Sequence, residues 1–132
     1  MIGQLIEQLQ STQAKVIALL ESVADDQDWQ PDPEKWAFRY IAAHLATVEF
    51  ESYFNTGRDF SQHDLADSLQ AWAATREEII AFLRTLPPER WRFTGSHAVF
   101  GRITLCDVLQ TMLEHDQQHM RQLDRMMAVY MV

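Results

Sequence analysis

Apolar residues recur with a helical period over four stretches of the chain, and polar or turn-forming residues separate the stretches. Ile2, Leu5, Ile6, Leu9, Val16, Leu19, Leu20 and Val23 mark one face of the first, with Glu, Gln and Lys between them. Positions three and four apart share one side of a helix, so this pattern predicts an amphipathic helix from Ile2 to about Ser22. The period stops at Ala24. From there to Lys35 the chain carries two prolines and four aspartates, which block helix and strand interiors alike. A loop is predicted here, in which Trp29 and neighbouring Trp36 either cover a bundle end or line a pocket mouth.

A second helix is expected from about Ala37 to Tyr53 or Asn55, closed by Gly57 as a C-terminal cap. Its buried stripe reads Ala37, Ile41, His44, Leu45, Val48, Ser52. Ser61-Gln62-His63-Asp64 has the form of a capping box and announces a third helix. Leu65, Leu69, Trp72, Ile79, Leu83 and Leu86 mark its apolar face, and Pro87-Pro88 ends it. Arg76 falls on that face, where it either reaches the surface, pairs with a carboxylate or lines a polar cavity. Between Glu89 and Ile103 the residues alternate around a turn, as in a small hairpin or an irregular crossover placed where a lid would lie. Thr104-Leu105-Cys106-Asp107 forms a second capping box and starts a last helix that runs to Tyr130. The stripe of that helix reads Val108, Met112, His115, His119, Gln122, Met126. At its end, Met126, Met127 and Tyr130 are expected in core or dimer contacts.

Four such helices make an all-α four-helix bundle with long inter-helix connections the economical fold, with 1–132 as a single domain. The connections exceed what an up-down-up-down bundle needs, which points to one that crosses the bundle. Composition agrees. Apolar residues make up 47% of the 132 and glycine and proline number only four each, so neither disorder nor a loop-rich scaffold is indicated. A net charge of −8 disfavours nucleic acid and anionic membranes as partners, because both select basic patches. The sequence shows neither a signal peptide nor an apolar run long enough to span a bilayer. Its single cysteine, Cys106, fits a reducing cytoplasm and reads as a small buried hydrophobe.

Histidine placement changes the picture more. His44, His115 and His119 all fall on stripes where a core ordinarily has leucine. Each buried imidazole needs partners for two ring nitrogens, and one shared metal removes that cost for all three. At i and i+4, His115 and His119 carry Cβ atoms roughly 5–6 Å apart, a gap that a metal with bonds of about 2.0–2.1 Å to nitrogen closes. Three imidazoles leave a position open for water or substrate, as catalytic sites do. Spacing argues against the rivals. No glutamate has a histidine three residues later, as a ferritin-like di-iron site requires, and His44 is followed at i+4 by Val48 rather than a ligand. His-Glu-x-x-His is absent because position 116 is Asp. His63 and His97 fall in a cap and a loop and are read as surface residues. Asp116 and Glu51 are candidates to orient a ligand imidazole, against the default of a carboxylate on a solvated flank, and Gln122 is a candidate to hydrogen-bond a ligand.

The motifs Ile41-Ala42-Ala43-His44-Leu45, Phe100-Gly101-Arg102-Ile103-Thr104-Leu105 and His115-Asp116-Gln117-Gln118-His119-Met120-Arg121-Gln122-Leu123 resemble those of the DinB/YfiT-like superfamily of small bacterial four-helix metal-binding proteins. The resemblance spans essentially the whole chain. It implies zinc or nickel held by His44, His115 and His119, a bundle of unusual connectivity, and a homodimer. It also implies an enzyme acting on a small molecule: a thiol S-transferase using a low-molecular-weight thiol such as bacillithiol, or a related hydrolase. A tri-histidine metal suits either, since it lowers the pKa of a thiol or of water. The alternative is a stress-response module that binds metal without turnover.

Overall fold

The computed structural model describes residues 2–48, 60, 62–87, 89, 94–97 and 101–132. Among them lie four α-helices and one hairpin: α1 (Ile2–Glu21), α2 (Phe38–Val48), α3 (Leu65–Arg84), β1 (Thr94–His97), β2 (Gly101–Thr104) and α4 (Leu105–Tyr130). The expected end of the second helix, with its Gly57 cap, lies outside the described residues. No described helix is long and apolar enough to cross a membrane.

Helix starts follow local chemistry. At α4 the Thr104 hydroxyl accepts from the Asp107 amide at 3.1 Å while the Asp107 carboxylate accepts from the Thr104 amide at 3.0 Å, the reciprocal box that the sequence predicts. A cap of this kind contributes about 1 kcal/mol. At α3 the expectation needs correction. The N-cap is Asp64, whose side chain accepts from the Asp67 amide, so the helix begins three residues beyond the predicted cap at Ser61. An aspartate placed against the first apolar residue, Leu65, caps as well as a serine does. The hairpin pairs β1 and β2 antiparallel, Thr94 opposite Thr104 and His97 opposite Gly101. Gly101 takes φ of +74°, a left-handed conformation that a side chain would strain.

Two apolar clusters stack along the bundle and reveal its helix directions. In one, Ile6 and Leu9 of α1 meet Ile80 and Leu83 of α3 and Leu109 and Leu113 of α4. In the other, Val16 and Leu20 of α1 meet Leu65 and Trp72 of α3, Leu123 and Met126 of α4, and Phe38, Ile41 and Leu45 of α2. From the first cluster to the second, residue numbers rise in α1 and α4 and fall in α3. Hence α1 and α4, which pack against each other, run parallel. Phe38 at the start of α2 packs on Tyr130 at the end of α4, and His44 farther along sits beside His115, so α2 also runs against α4.

The order is therefore up, down, down, up. An up-down-up-down bundle would set its first and last helices antiparallel. Two hydrogen bonds place the starts of α2 and α3 at one end of the molecule: Arg39 Nη1 donates to the His63 carbonyl, and the Leu65 amide donates to Gln27 Oε1, both at 2.7 Å. Helix α2 is described as far as Val48, and α3 starts near where α2 began. Two parallel helices in succession need a connection that returns along their length, in keeping with the crossing connection that the sequence points to.

Between the two apolar clusters lies a buried polar layer: Thr12 and Gln13 of α1, Thr75 and Arg76 of α3, Asp116 and His119 of α4. The candidate site belongs to this layer. The deepest positions of α4 are Leu109, Leu113, Asp116, Leu123 and Met126, together with His119. The predicted stripe coincides with the deepest row at His119 and Met126 and runs one position off it at Val108, Met112, His115 and Gln122, and Val108 at its start is 37% exposed. Because neighbouring rows of a helix differ by one residue, His115 lies at the border of the core rather than at its centre.

Candidate metal centre

Helix α4 presents His115 and His119 one turn apart, and α2 brings His44 against them. The His44 and His115 Nε2 atoms are 3.1 Å apart, those of His115 and His119 are 3.2 Å apart, and the ligand atoms all lie within 4.8 Å of one another. All three histidines that the sequence singles out are brought together.

Hydrogen bonding alone is a poor account of this trio. A neutral imidazole has one N–H donor and one acceptor, so His115 Nε2 cannot satisfy both neighbours at once. Three nitrogens held at about 2.0–2.1 Å from a common tetrahedral centre would instead stand about 3.3 Å apart, close to the two short edges seen here. The donor set therefore fits a divalent ion.

Burial tunes the rings for that use. It is the main cause that lowers the His115 pKa to about 4, with the charges of His119, His44 and Arg76 acting in the same direction. His119 is lowered too, again by burial, against an opposing hydrogen bond to Gln122. Both rings are neutral at pH 7, which leaves nitrogen lone pairs available. Gln122 Oε1 accepts from His119 Nδ1 at 2.7 Å. That contact assigns the ring proton to Nδ1 and aims the Nε2 lone pair inward.

Asp116 departs from the expectation of a solvated carboxylate. It is 2% exposed and accepts from Arg76 through both oxygens, at 2.9 Å from Nη1 and 3.3 Å from Nη2. Arg76, 1% exposed, also lies over the Trp72 ring at 5.3 Å. Of the three roles open to Arg76, the carboxylate pair is the one observed. The sequence held a signal for it, since a guanidinium on an apolar face requires an anion. The anion's identity depended on how α4 is rotated. Glu51, the other carboxylate candidate, lies outside the described residues. His63 is exposed, as expected, and the side chain of His97 lies outside the described residues.

The two loop tryptophans divide the roles proposed for them. Trp29 stacks on Phe38 at 5.3 Å, and Tyr130 meets both rings edge-on while its hydroxyl donates to Asp26, closing that bundle end. Trp36 instead touches His44, with ring centroids 5.1 Å apart. It also lines an open cleft of about 250 Å³ with Lys35 from the same loop and Gln122, Arg125, Met126 and Val129 from α4. Sequence reasoning did not single out Lys35 or Arg125, and no spacing signal marks them. The described part of the hairpin does not reach this cleft. It precedes α4, and Thr104 and Gln122 are separated by about 27 Å of helical rise.

A four-helix bundle with a crossing connection, whose polar layer gathers three imidazoles, is the class of protein these features define. The chain belongs to the DinB superfamily, whose family model matches residues 8–123. Among solved structures it is similar to YfiT from Bacillus subtilis, described as a probable metal-dependent hydrolase with an unusual four-helix bundle topology. The two share 22% sequence identity and a TM-score of 0.76, over 96% of this chain and 87% of that one, a likeness of fold. Comparison with curated proteins finds no match.

Proposed function

We propose that this protein is a mononuclear metal-dependent enzyme acting on a small molecule, with His44, His115 and His119 as ligands of zinc or nickel. The convergence of three Nε2 atoms at 3.1 and 3.2 Å carries this reading. Membership of the DinB superfamily and the metal-dependent hydrolase description of YfiT support it. We favour S-transfer from a low-molecular-weight thiol, or a related hydrolysis, in the cytoplasm. A bound divalent ion supplies the Lewis acidity by which a thiol or water becomes nucleophilic at neutral pH.

The chain's own residues do the rest. Gln122 holds the proton of His119 on Nδ1. Trp36 shields one side of His44 and leaves the cleft as an approach from solvent. The Arg76–Asp116 pair braces α4 beside His115, and the Asp116 carboxylate offsets part of the Arg76 charge there.

Elemental analysis of untagged protein after supplementation with zinc or nickel tests the metal. About one equivalent per chain is expected, and less than about half would overturn the assignment. The His115→Ala variant should lose most of that metal, and full stoichiometry in the variant would remove His115 from the ligand set. Spectra of the cobalt-substituted protein then separate the chemistries. A thiol-dependent change supports S-transfer, whereas none across a range of small thiols favours the hydrolase.

A further inference from the structure

The cleft beside the histidine trio has a one-sided chemistry. Its polar groups are all able to donate: the Lys35 ammonium, the Arg125 guanidinium and the Gln122 amide, whose oxygen is already engaged by His119. No carboxylate of the described residues lines it, in a chain where 19 acidic residues outnumber 11 basic ones. Among the described residues neither Lys35 nor Arg125 forms an ion pair, whereas Arg39 and Arg76 both do. The remaining wall is apolar, from Trp36, Met126 and Val129. Two of the lining residues each touch a different histidine of the trio, Trp36 at His44 and Gln122 at His119.

We infer that this cleft binds a small organic anion, with the acidic group held by Lys35 and Arg125 and an apolar arm lying along Trp36, Met126 and Val129 toward the histidines. Guanidinium and ammonium groups left without an internal partner attract anions, and Arg offers a forked pair of donors to a carboxylate. The apolar walls add affinity for an arm that leaves water. The cleft would then select substrates of the metal-dependent reaction that carry a negative charge away from the reacting atom. That role rests on the function proposed above; the binding itself does not.

The test uses 4-phenylbutyrate, its neutral counterpart 4-phenyl-1-butanol, and acetate, each titrated by calorimetry into the metal-free chain. The acid should bind at least about fivefold more tightly than the alcohol, as expected for two exposed charge contacts, and more tightly than acetate. In the Lys35→Gln/Arg125→Gln variant the preference for the acid should disappear, with each single variant losing part of it. Equal binding of acid and alcohol, a preference that survives the double variant, acetate binding as tightly as the larger acid, or no detectable binding would each overturn the inference. Metal stoichiometry of the same preparations is read separately. Failure of the metal assignment would therefore leave the anion result standing, and the reverse.

Discussion

Gln122 shows how one side chain sets the chemistry of a neighbour. By accepting from His119 Nδ1 it decides which ring nitrogen keeps the proton, and hence which one faces His115. Replacing it with leucine should weaken metal affinity about 10- to 100-fold, the usual effect of removing a partner of a ligating imidazole. Gln122→Glu, which keeps an acceptor, should restore most of it. A competition titration with a chromophoric chelator reads both variants, and unchanged affinity in Gln122→Leu would remove this role. At this scale the histidines were legible because an imidazole on an apolar stripe contradicts its surroundings. Lys35 and Arg125 were not, because an exposed cation contradicts nothing until the fold shows what faces it.

Among the helices, the contact with most at stake joins α3 to α4. Arg76 and Asp116 are both buried and bonded in two places, so removing one leaves the other charge without its main compensation. Asp116→Ala should destabilise the protein by ~3–5 kcal/mol in urea unfolding. The double substitution Arg76→Met/Asp116→Leu should recover much of that, since apolar side chains of similar volume often replace a buried pair without loss. A double variant no more stable than Asp116→Ala would show that the pair contributes more than mutual neutralisation. The helices themselves were largely legible, with α1, α3 and α4 beginning and ending close to their predicted bounds. Period and capping are interactions within a few residues, and the chain displays them directly. The shift of the α3 cap from Ser61 to Asp64 marks the resolution of such reasoning, since both residues offer a capping oxygen.

For the whole molecule, the buried rings make stability depend on pH and on metal. His115 is lowered from its ordinary value of 6.5 to about 4, so between those values the unfolded chain binds a proton that the folded one resists. Its contribution is present above about 6.5 and is lost as the pH falls through about 4. The melting temperature of metal-free protein should therefore drop between pH 6.5 and 4.5, and drop less in a His115→Gln variant. Parallel curves for the two proteins would contradict this. Bound metal should raise the melting temperature at neutral pH, because it favours the folded state by mass action. What the sequence determined by itself is the mainly helical character, most of the helix starts and the three histidines on or beside inward stripes, which follow from local periodicity and side-chain chemistry. Tertiary structure alone decided that α1 and α4 run parallel, that Asp116 rather than a solvated flank receives Arg76, and that two cations share a cleft with Trp36 and Gln122. Those facts depend on how each helix is rotated and where the long connections return it, which bring together residues far apart in the chain.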